Sequence, residues 1–183
     1  MGPRLNKRNY TFIQVLIIIL LTTLPSCNRG IRNINSITDE ESTIALSFAN
    51  DKIGSNYEWG ANGPDVFDCS GLIVWCYQQS LNAKNIFYNG SEIVSDANMQ
   101  TIFDYNVSHL SDITEVKPGD IIFITYENGI ITHGGLVISI EGAQVTFINA
   151  SSFFGEVVSD TWSLNDIIRD QWVVGFGRIF ISY

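Results

Sequence analysis

The segment Asp68-Cys69-Ser70-Gly71-Leu72-Ile73-Val74-Trp75-Cys76-Tyr77 sets a short polar stretch directly before an apolar run. The run predicts a helix from Cys69 to about Ser80, with Cys69 in its first turn. The N-terminus of a helix carries roughly half a positive charge, which favours the thiolate over the thiol. Because the thiolate is the reactive form, Cys69 is the candidate nucleophile, and its polar neighbours argue against a purely structural thiol.

A candidate base for this thiol follows about 64 residues later, in Thr132-His133-Gly134-Gly135. A thiol–imidazole pair needs a ring nitrogen that takes the thiol proton and a third polar group that orients the ring. If the two strands that follow His133 pair as a hairpin, Asn149 at the end of the second strand becomes its neighbour. Asn149 would then accept a hydrogen bond from one ring nitrogen while the other nitrogen faces Cys69.

Other roles for these residues stay open. His133 can be an ordinary strand-edge residue, and Asn149 can be a turn former. His109, in a loop-like stretch, is the competing histidine. Two histidines without a close cysteine pair leave too few ligands for a metal site. Ser70 suggests a serine hydrolase, but the chain has no Gly-x-Ser-x-Gly elbow.

Predicted helices precede predicted strands along the chain. Thr38-Asp39-Glu40-Glu41 has the pattern of a capping box and opens the first helix, ahead of the helix that begins at Cys69. The first helix is expected to bury Ile44, Ala45, Phe48 and Ala49, with Ile53 near its end.

The second half of the chain reads mainly as β-strands. Residues 91–99 and 164–168 are expected to form short helices. Apolar, β-branched runs indicate strands at 121–124, 136–140, 145–148 and 175–181. Helices followed by consecutive antiparallel strands predict an α+β fold, with N-terminal helices packed on a central antiparallel sheet.

The N-terminus has the pattern of a lipoprotein signal peptide over residues 1–26. A basic stretch precedes an apolar run from Phe12 to Leu24, which is short for a membrane span. Leu24-Pro25-Ser26-Cys27 then resembles a lipobox, which implies lipidation of Cys27. Ordinary cleavage nearby and an uncleaved anchor are the alternatives. Residues 27–37 would form a tether and residues 38–183 the folded domain.

Charge and cysteine usage narrow the function classes. Three of the ten basic residues lie in the predicted signal peptide, and none of the nineteen acidic residues does. Such an acidic mature chain argues against nucleic acid and anionic lipid headgroups as partners. Cys76 lies in the apolar helix and is expected to pack in the core. A disulfide between Cys69 and Cys76 is excluded because two helical turns hold their Cα atoms about 10 Å apart.

Four motifs resemble those of the NlpC-type cell-wall cysteine peptidase family, in the family's order. The resemblance covers the chain from about Thr38 to Tyr183. The motifs are Tyr57-Glu58-Trp59-Gly60 with Pro64 and Phe67-Asp68-Cys69-Ser70-Gly71, Lys117-Pro118-Gly119-Asp120-Ile121-Ile122-Phe123, Thr132-His133-Gly134-Gly135-Leu136-Val137-Ile138, and Phe147-Ile148-Asn149-Ala150-Ser151.

The resemblance implies a papain-like α+β fold and a thiol mechanism that needs no metal or cofactor. It implies hydrolysis of the bond between the γ-carboxyl of D-glutamate and diaminopimelate or lysine in peptidoglycan stem peptides. The implied roles are Cys69 as nucleophile, His133 as general base and acid, Asn149 as the ring-orienting residue, Tyr57 in oxyanion stabilisation, and Asp68 and Ser70 at the amine end of the stem peptide.

Three positions depart from the family pattern. Asn149 stands where the family often has His, Ala61 replaces a common glycine, and Gly134 stands where valine is commoner. None of these changes removes a reactive group.

Two alternative functions stay open. One is an amidase or acyltransferase of the same fold that acts on another envelope substrate, and the other is a non-catalytic envelope-binding lipoprotein. Lipidation of Cys27 implies anchoring in the bacterial cell envelope. Asn28, rather than Asp, follows it, which favours the outer over the inner membrane if the cell has two. A monomer is the default expectation.

Overall fold

A computed structural model describes residues 34–127 and 129–182 of the chain. Its first helix, α1 (Asp39–Asn50), begins with the predicted capping box: the Thr38 backbone N–H donates to Glu41 Oε2 over 2.8 Å, and the Glu41 N–H donates to Thr38 Oγ1 over 3.2 Å. The helix buries Ala45 and Ala49 as predicted.

Two further positions of this helical region were predicted to face the core, and that prediction is wrong. Ile44 is 39% exposed and Ile53 is 46% exposed. The helix packs through its small residues, so the apolar side chains beside Ala45 and Ala49 lie towards the rim of the contact. Phe48 is half-buried there and meets the Trp75 ring edge-on, with the ring centroids 5.7 Å apart.

The second helix, α2 (Cys69–Ser80), lies in the core and agrees with the predicted bounds. Its apolar side chains are buried except for the half-buried Trp75, which explains why the apolar run of the helix shows no polar face. The Tyr77 hydroxyl donates to the Gly119 carbonyl oxygen over 2.7 Å. That bond ties the helix to the turn that precedes the central strands.

Eleven strands and one further helix, α3 (Met99–Tyr105), complete the described residues, together with a 3₁₀ turn at Ile113–Glu115. The strands are β1 (Ile34–Ser36), β2 (Asn56–Tyr57), β3 (Val66–Phe67), β4 (Phe87–Asn89), β5 (Glu92–Val94), β6 (Val107–Leu110), β7 (Ile121–Thr125), β8 (His133–Glu141), β9 (Gln144–Ser151), β10 (Glu156–Ser163) and β11 (Trp172–Ser182).

The main sheet runs in the order β1-β11-β7-β8-β9-β10-β2-β3, and β6 also pairs with β11. All its pairs are antiparallel except the short β2–β3 pair. Helices on a predominantly antiparallel sheet confirm the predicted α+β fold. In the central hairpin, Leu136 of β8 lies opposite Ile148 of β9, which brings the start of β8 beside the end of β9.

The core occupies both faces of this sheet. On the helical side, α1, α2 and α3 pack against Ile121 and Phe123 of β7, while Ile122 and Ile124 belong to a second apolar cluster with Trp162. A strand buried on both faces reads as a continuous apolar run, as β7 does. Within residues 34–127 and 129–182, no helix is long and apolar enough to cross a membrane.

Two predicted short helices are wrong. Residues 91–99 contain β5, paired with β4 across Gly90 at φ +62°, and the helix of this region begins only after the Asn98 cap. Residues 164–168 form turns after β10 instead of a helix. Strand β10 itself was not predicted, although it pairs with β9 from Glu156 to Ser163.

Candidate active site

Asp68 fixes the start of α2 and therefore the position of Cys69. Its Oδ1 accepts hydrogen bonds from the Gly71 N–H (2.6 Å) and the Ser70 hydroxyl (2.9 Å), and its Oδ2 accepts from the Gly60 N–H (2.9 Å). A Cβ at Gly71 would collide with the carbonyl oxygen of Ala61. Asp68 therefore holds the N-terminus of α2 against the preceding loop. The predicted contact of Asp68 and Ser70 with substrate stays a prediction.

The thiol of Cys69 is almost fully buried, with 8% of the residue exposed. Burial raises its pKa to about 12, and the nearby Asp68 carboxylate acts in the same direction. The backbone N–H groups of Ser70 and Cys69 lower the pKa, as expected for a helix N-terminus, but burial outweighs them. The helix N-terminus therefore acts in the predicted direction, towards the thiolate, but the net shift of the Cys69 pKa is upward because burial dominates.

His133 and Asn149 meet as the predicted hairpin requires. His133 is the first residue of β8, Asn149 lies near the end of β9, and His133 Nε2 is 3.0 Å from Asn149 Oδ1. With the amide oxygen accepting, Nε2 carries the proton and Nδ1 keeps its lone pair. Burial lowers the pKa of His133, while the hydrogen bond that its ring donates to Asn149 partly opposes that shift. The ring is therefore neutral at neutral pH and can accept a proton.

Two glycines after the histidine allow this close approach. A Cβ at Gly135 would collide with the Ile148 carbonyl oxygen and lie 3.0 Å from the Cβ of Asn149. A Cβ at Gly134 would collide with the Met99 side chain of α3. It would also collide with the Ile122 carbonyl oxygen, so there is no room for a side chain at position 134.

Two cavities meet at Cys69. The first, here called the His133 cavity, has a volume of about 160 Å³; its walls include Cys69, His133, Asn149, Tyr57, Asp160 and Arg169. The second, here called the Ser70 cavity, has walls that include Asp68, Cys69, Ser70, Asn98, Gln100 and Ile130. Of the predicted site residues, Cys69, His133, Asn149 and Tyr57 share one cavity, and Asp68 and Ser70 line the other.

The groups around the thiol suit a reaction at a carbonyl carbon. Cys69 Sγ lies 4.0 Å from the Thr132 carbonyl oxygen, next in the chain to His133. Burial raises the pKa of Tyr57, and the Asp68 carboxylate adds to the shift, so its hydroxyl stays protonated and can donate to a developing oxyanion.

The remaining reactive side chains lie elsewhere. His109 is on β6, with its ring 4.3 Å from that of Phe103, and it lines neither cavity. Cys76 is fully buried, and both Cys69 and Cys76 are free thiols. Among the described residues, no three His, Cys, Asp or Glu side chains are grouped closely enough to hold a metal ion.

Sequence reasoning missed Asp160 and Arg169 on the wall of the His133 cavity. They come from β10 and from the turn before β11, and the sequence links neither to the histidine. The alternation of exposed and buried residues along β10 was the available signal for the strand.

The fold and site are those of a papain-like domain with a cysteine at a helix N-terminus and a histidine–asparagine pair on the facing sheet. The chain belongs to the NlpC/P60 family, whose model matches residues 54–174. The predicted family resemblance is confirmed.

Similar curated proteins agree with this membership. A probable endopeptidase p60 of Listeria grayi is 27% identical over 151 residues, covering 80% of this chain and 25% of that protein. A probable endopeptidase of Corynebacterium glutamicum is 31% identical over 121 residues, covering 66% and 50%. A bifunctional muramidase/DL-endopeptidase of Bacillus subtilis is 29% identical over 129 residues, covering 69% and 33%. The chain thus spans a quarter to a half of the length of these relatives.

Solved structures share the fold at lower sequence identity. NlpC1 of Trichomonas vaginalis superposes with a TM-score of 0.56 at 23% identity, covering 81% of this chain and 47% of that one. An N-acetylmuramoyl-L-alanine amidase of Bacteroides uniformis gives 0.51 at 14% identity, covering 78% and 99%. These likenesses confirm the papain-like architecture.

Proposed function

We propose that this protein is a peptidoglycan endopeptidase that cleaves stem peptides after D-glutamate, using Cys69 as nucleophile, His133 as base and acid, and Asn149 to orient the ring. The observation that carries the proposal is the 3.0 Å contact between His133 Nε2 and Asn149 Oδ1, on the wall of the cavity that Cys69 also lines. This contact leaves Nδ1 free to accept the thiol proton.

The first half of the reaction forms a thioester. Because the resting thiol is neutral, its proton passes to His133 Nδ1 as Sγ attacks the γ-carbonyl carbon of D-glutamate. The Cys69 backbone N–H and the Tyr57 hydroxyl stabilise the oxyanion, and one such donor contributes about 3 kcal/mol to the transition state. The imidazolium then protonates the leaving amine as the carbon–nitrogen bond breaks.

The second half releases the acyl group. A water molecule takes the place of the departed amine, and neutral His133 removes its proton as the oxygen attacks the thioester carbonyl. The carbon–sulfur bond breaks and the thiolate regains its proton from His133. The product leaves as a carboxylic acid, which loses the second proton of the water to solvent and becomes the carboxylate. Asn149 holds the ring in the same tautomer through both halves because it accepts from Nε2–H throughout.

The choice of bond is supported by the relatives and by the two cavities. The similar proteins of Listeria and Corynebacterium are named probable endopeptidases, and that of Bacillus subtilis includes a DL-endopeptidase. Asp68 and Ser70 lie in the Ser70 cavity, where a carboxylate and a hydroxyl suit the amine end of the dipeptide that forms the acyl group.

Mass spectrometry of muropeptides tests this proposal. Purified sacculi are incubated with the wild-type protein and with His133→Ala, and the expected new fragments end in D-glutamate and appear with the wild type alone. Fragments cut between muramic acid and L-alanine would identify an amidase instead. If no fragment forms although the wild-type protein is folded, the endopeptidase proposal is wrong, and the enzyme acting on another envelope substrate and the non-catalytic lipoprotein are the remaining alternatives.

We also propose that Cys27 carries a lipid anchor that holds the protein in the cell envelope, with the outer membrane favoured over the inner. Cys27 and the signal peptide over 1–26 lie outside the described residues, so the lipobox pattern supports this alone. Cys27→Ser should move the protein from the membrane fraction to the soluble fraction. An unchanged membrane fraction would contradict lipidation.

A further inference from the structure

The two cavities beside Cys69 are assigned to the two sides of the scissile bond by the position of His133. In the proposed function, which this inference extends, His133 protonates the leaving amine. His133 lines its own cavity and does not line the Ser70 cavity. The leaving group, which is the diamino acid, therefore belongs in the His133 cavity.

Among the described residues that line the His133 cavity, Asp160 and Arg169 are the only Asp, Glu, Lys or Arg residues. Arg169 Nη1 donates to Asp160 Oδ2 over 3.0 Å, and the Trp162 indole N–H donates to the same oxygen over 2.9 Å. The guanidinium also stacks on the Phe153 ring, 4.4 Å from its centroid. These contacts hold the guanidinium in one orientation at the cavity wall.

Arg169 keeps unused hydrogen-bonding capacity. Its guanidinium has five N–H donors, and Asp160 is its one hydrogen-bond acceptor among the described residues. The Arg169 side chain is 30% exposed, so the remaining donors are open to a ligand. A planar guanidinium with free donors matches a carboxylate, which it can bind through two parallel hydrogen bonds.

The other lysine and arginine residues of 34–127 and 129–182 lie away from the His133 cavity. Lys117 pairs with Asp39, and Arg178 pairs with Asp120. Lys52 lies over the Trp75 ring, and Lys84 is exposed on another surface. Arg169 is therefore the one lysine or arginine of residues 34–127 and 129–182 that lines the His133 cavity.

The backbone conformation at Arg169 is unusual for an arginine. Arg169 and Asp170 have φ values of +54° and +61°, inside a two-residue turn that is closed by hydrogen bonds between Ile168 and Gln171. Turns with two positive φ values favour asparagine and glycine, which adopt this conformation at lower cost. A large charged side chain held in this conformation beside an active site indicates a function for the side chain.

We propose that Arg169, oriented by Asp160, binds the carboxylate at the side-chain end of the leaving diamino acid and so selects diaminopimelate over lysine. Diaminopimelate carries this carboxylate and lysine does not, while both carry the side-chain ammonium group. A site that hydrogen-bonds a charged substrate group discriminates against the analogue that lacks it. Arg169 is then a specificity residue, and Asp160 is a positioning residue.

The test compares kcat/KM for two peptides that differ only in this carboxylate. The peptides are L-Ala-γ-D-Glu-meso-diaminopimelate and L-Ala-γ-D-Glu-L-Lys, with matched C-termini. The wild type is expected to prefer the first by roughly 10- to 100-fold, as for a hydrogen bond to a charged group. Arg169→Gln should remove most of this preference, Arg169→Lys should keep part of it, and the exposed control Lys84→Gln should keep all of it.

Each contrary result has a separate meaning. Equal wild-type rates on the two peptides would overturn the assignment of Arg169 while the proposed function stands, and this result needs no variant. If Arg169→Gln lowers kcat/KM equally for both peptides, the assignment is also overturned. If that loss disappears with C-terminally amidated peptides, Arg169 binds the C-terminal carboxylate instead. If the wild type cleaves neither peptide, the proposed function itself fails.

Discussion

Replacing Asn149 with alanine separates the ring-orienting role that we propose for this residue from its structural role. Asn149 is 2% exposed, and its Oδ1 accepts the hydrogen bond from His133 Nε2. Its Nδ2 is buried and has no hydrogen-bond partner among the described residues. The native side chain therefore makes one favourable contact with His133 and leaves one amide group unsatisfied.

General hydrogen-bond energies give the size of both effects. A hydrogen bond between neutral groups contributes about 0.5–1.5 kcal/mol and one to a charged group about 1.5–3 kcal/mol. Because His133 becomes an imidazolium only during the reaction, Asn149→Ala should lose about 1–1.5 kcal/mol more from the transition state than from the resting protein. That difference lowers kcat by roughly 5- to 15-fold. Removing the unsatisfied Nδ2 offsets the lost bond, so the free energy of unfolding should change by less than about 2 kcal/mol.

The pH profile gives a second measurement on the same variant. Burial holds the pKa of His133 below its usual value of 6.5, and the bond to Asn149 raises it. Activity needs the neutral ring, so kcat/KM of the wild type should fall only as the pH drops below 6.5. Asn149→Ala removes the effect that raises the pKa and should move this acidic limb to lower pH.

Peptide hydrolysis and calorimetry decide the outcome, with Thr146→Ala, a half-buried position of β9 that lines neither cavity, as the control. An unchanged kcat in Asn149→Ala would refute the orienting role. A loss of activity that follows a loss of folded protein would refute it as well, and so would an acidic limb that moves to higher pH.

Two further predictions concern a pKa and a buried ion pair. Burial raises the pKa of Cys69 to about 12, so the reactive thiolate is a small fraction that grows about tenfold with each pH unit. Alkylation of Cys69 by iodoacetamide, measured by peptide mapping, should therefore accelerate about tenfold per pH unit from pH 6 to 9. A plateau of the rate in that range would show a thiolate instead. Arg178→Met should lower the free energy of unfolding in urea by about 3–5 kcal/mol because Asp120, 1% exposed, accepts bonds of 2.9 and 2.7 Å from Arg178. Without Arg178 this buried carboxylate would lose the positive charge that pairs with it and keep only the Lys117 backbone N–H, at 2.7 Å, as a donor. Lys117→Met, which breaks the exposed pair with Asp39, should have a far smaller effect, and equal effects would contradict the reasoning.

The sequence predicted the elements whose signals are local. The capping box at Thr38 and the apolar run from Cys69 are each formed by residues close together in the sequence. The first helix begins directly after Thr38 and the second begins at Cys69, as these patterns predict. The pairing of His133 with Asn149 followed from hairpin geometry because the two strands are consecutive in the chain.

The features that depend on distant parts of the chain were not predictable in this way. Strand β10 brings Asp160 to the cavity only after it pairs with β9, and the turn at Arg169 returns the guanidinium to the same wall. The pKa of Cys69 depends on how deeply the folded chain buries the thiol, whereas the helix N-terminus is visible in the sequence. The sequence therefore predicted correctly that the helix N-terminus lowers the pKa of Cys69, but burial raises this pKa by more.

The comparison of two cysteine variants tests the central claim most directly. Cys69 and Cys76 lie on the same helix, but Cys69 lines both cavities and Cys76 is enclosed in the core. Hydrolysis of L-Ala-γ-D-Glu-meso-diaminopimelate by the full-length protein is measured for the wild type, Cys69→Ala and Cys76→Ala. The proposed mechanism predicts that Cys69→Ala abolishes turnover in a folded protein while Cys76→Ala retains it. Turnover by Cys69→Ala at the wild-type rate would contradict the mechanism.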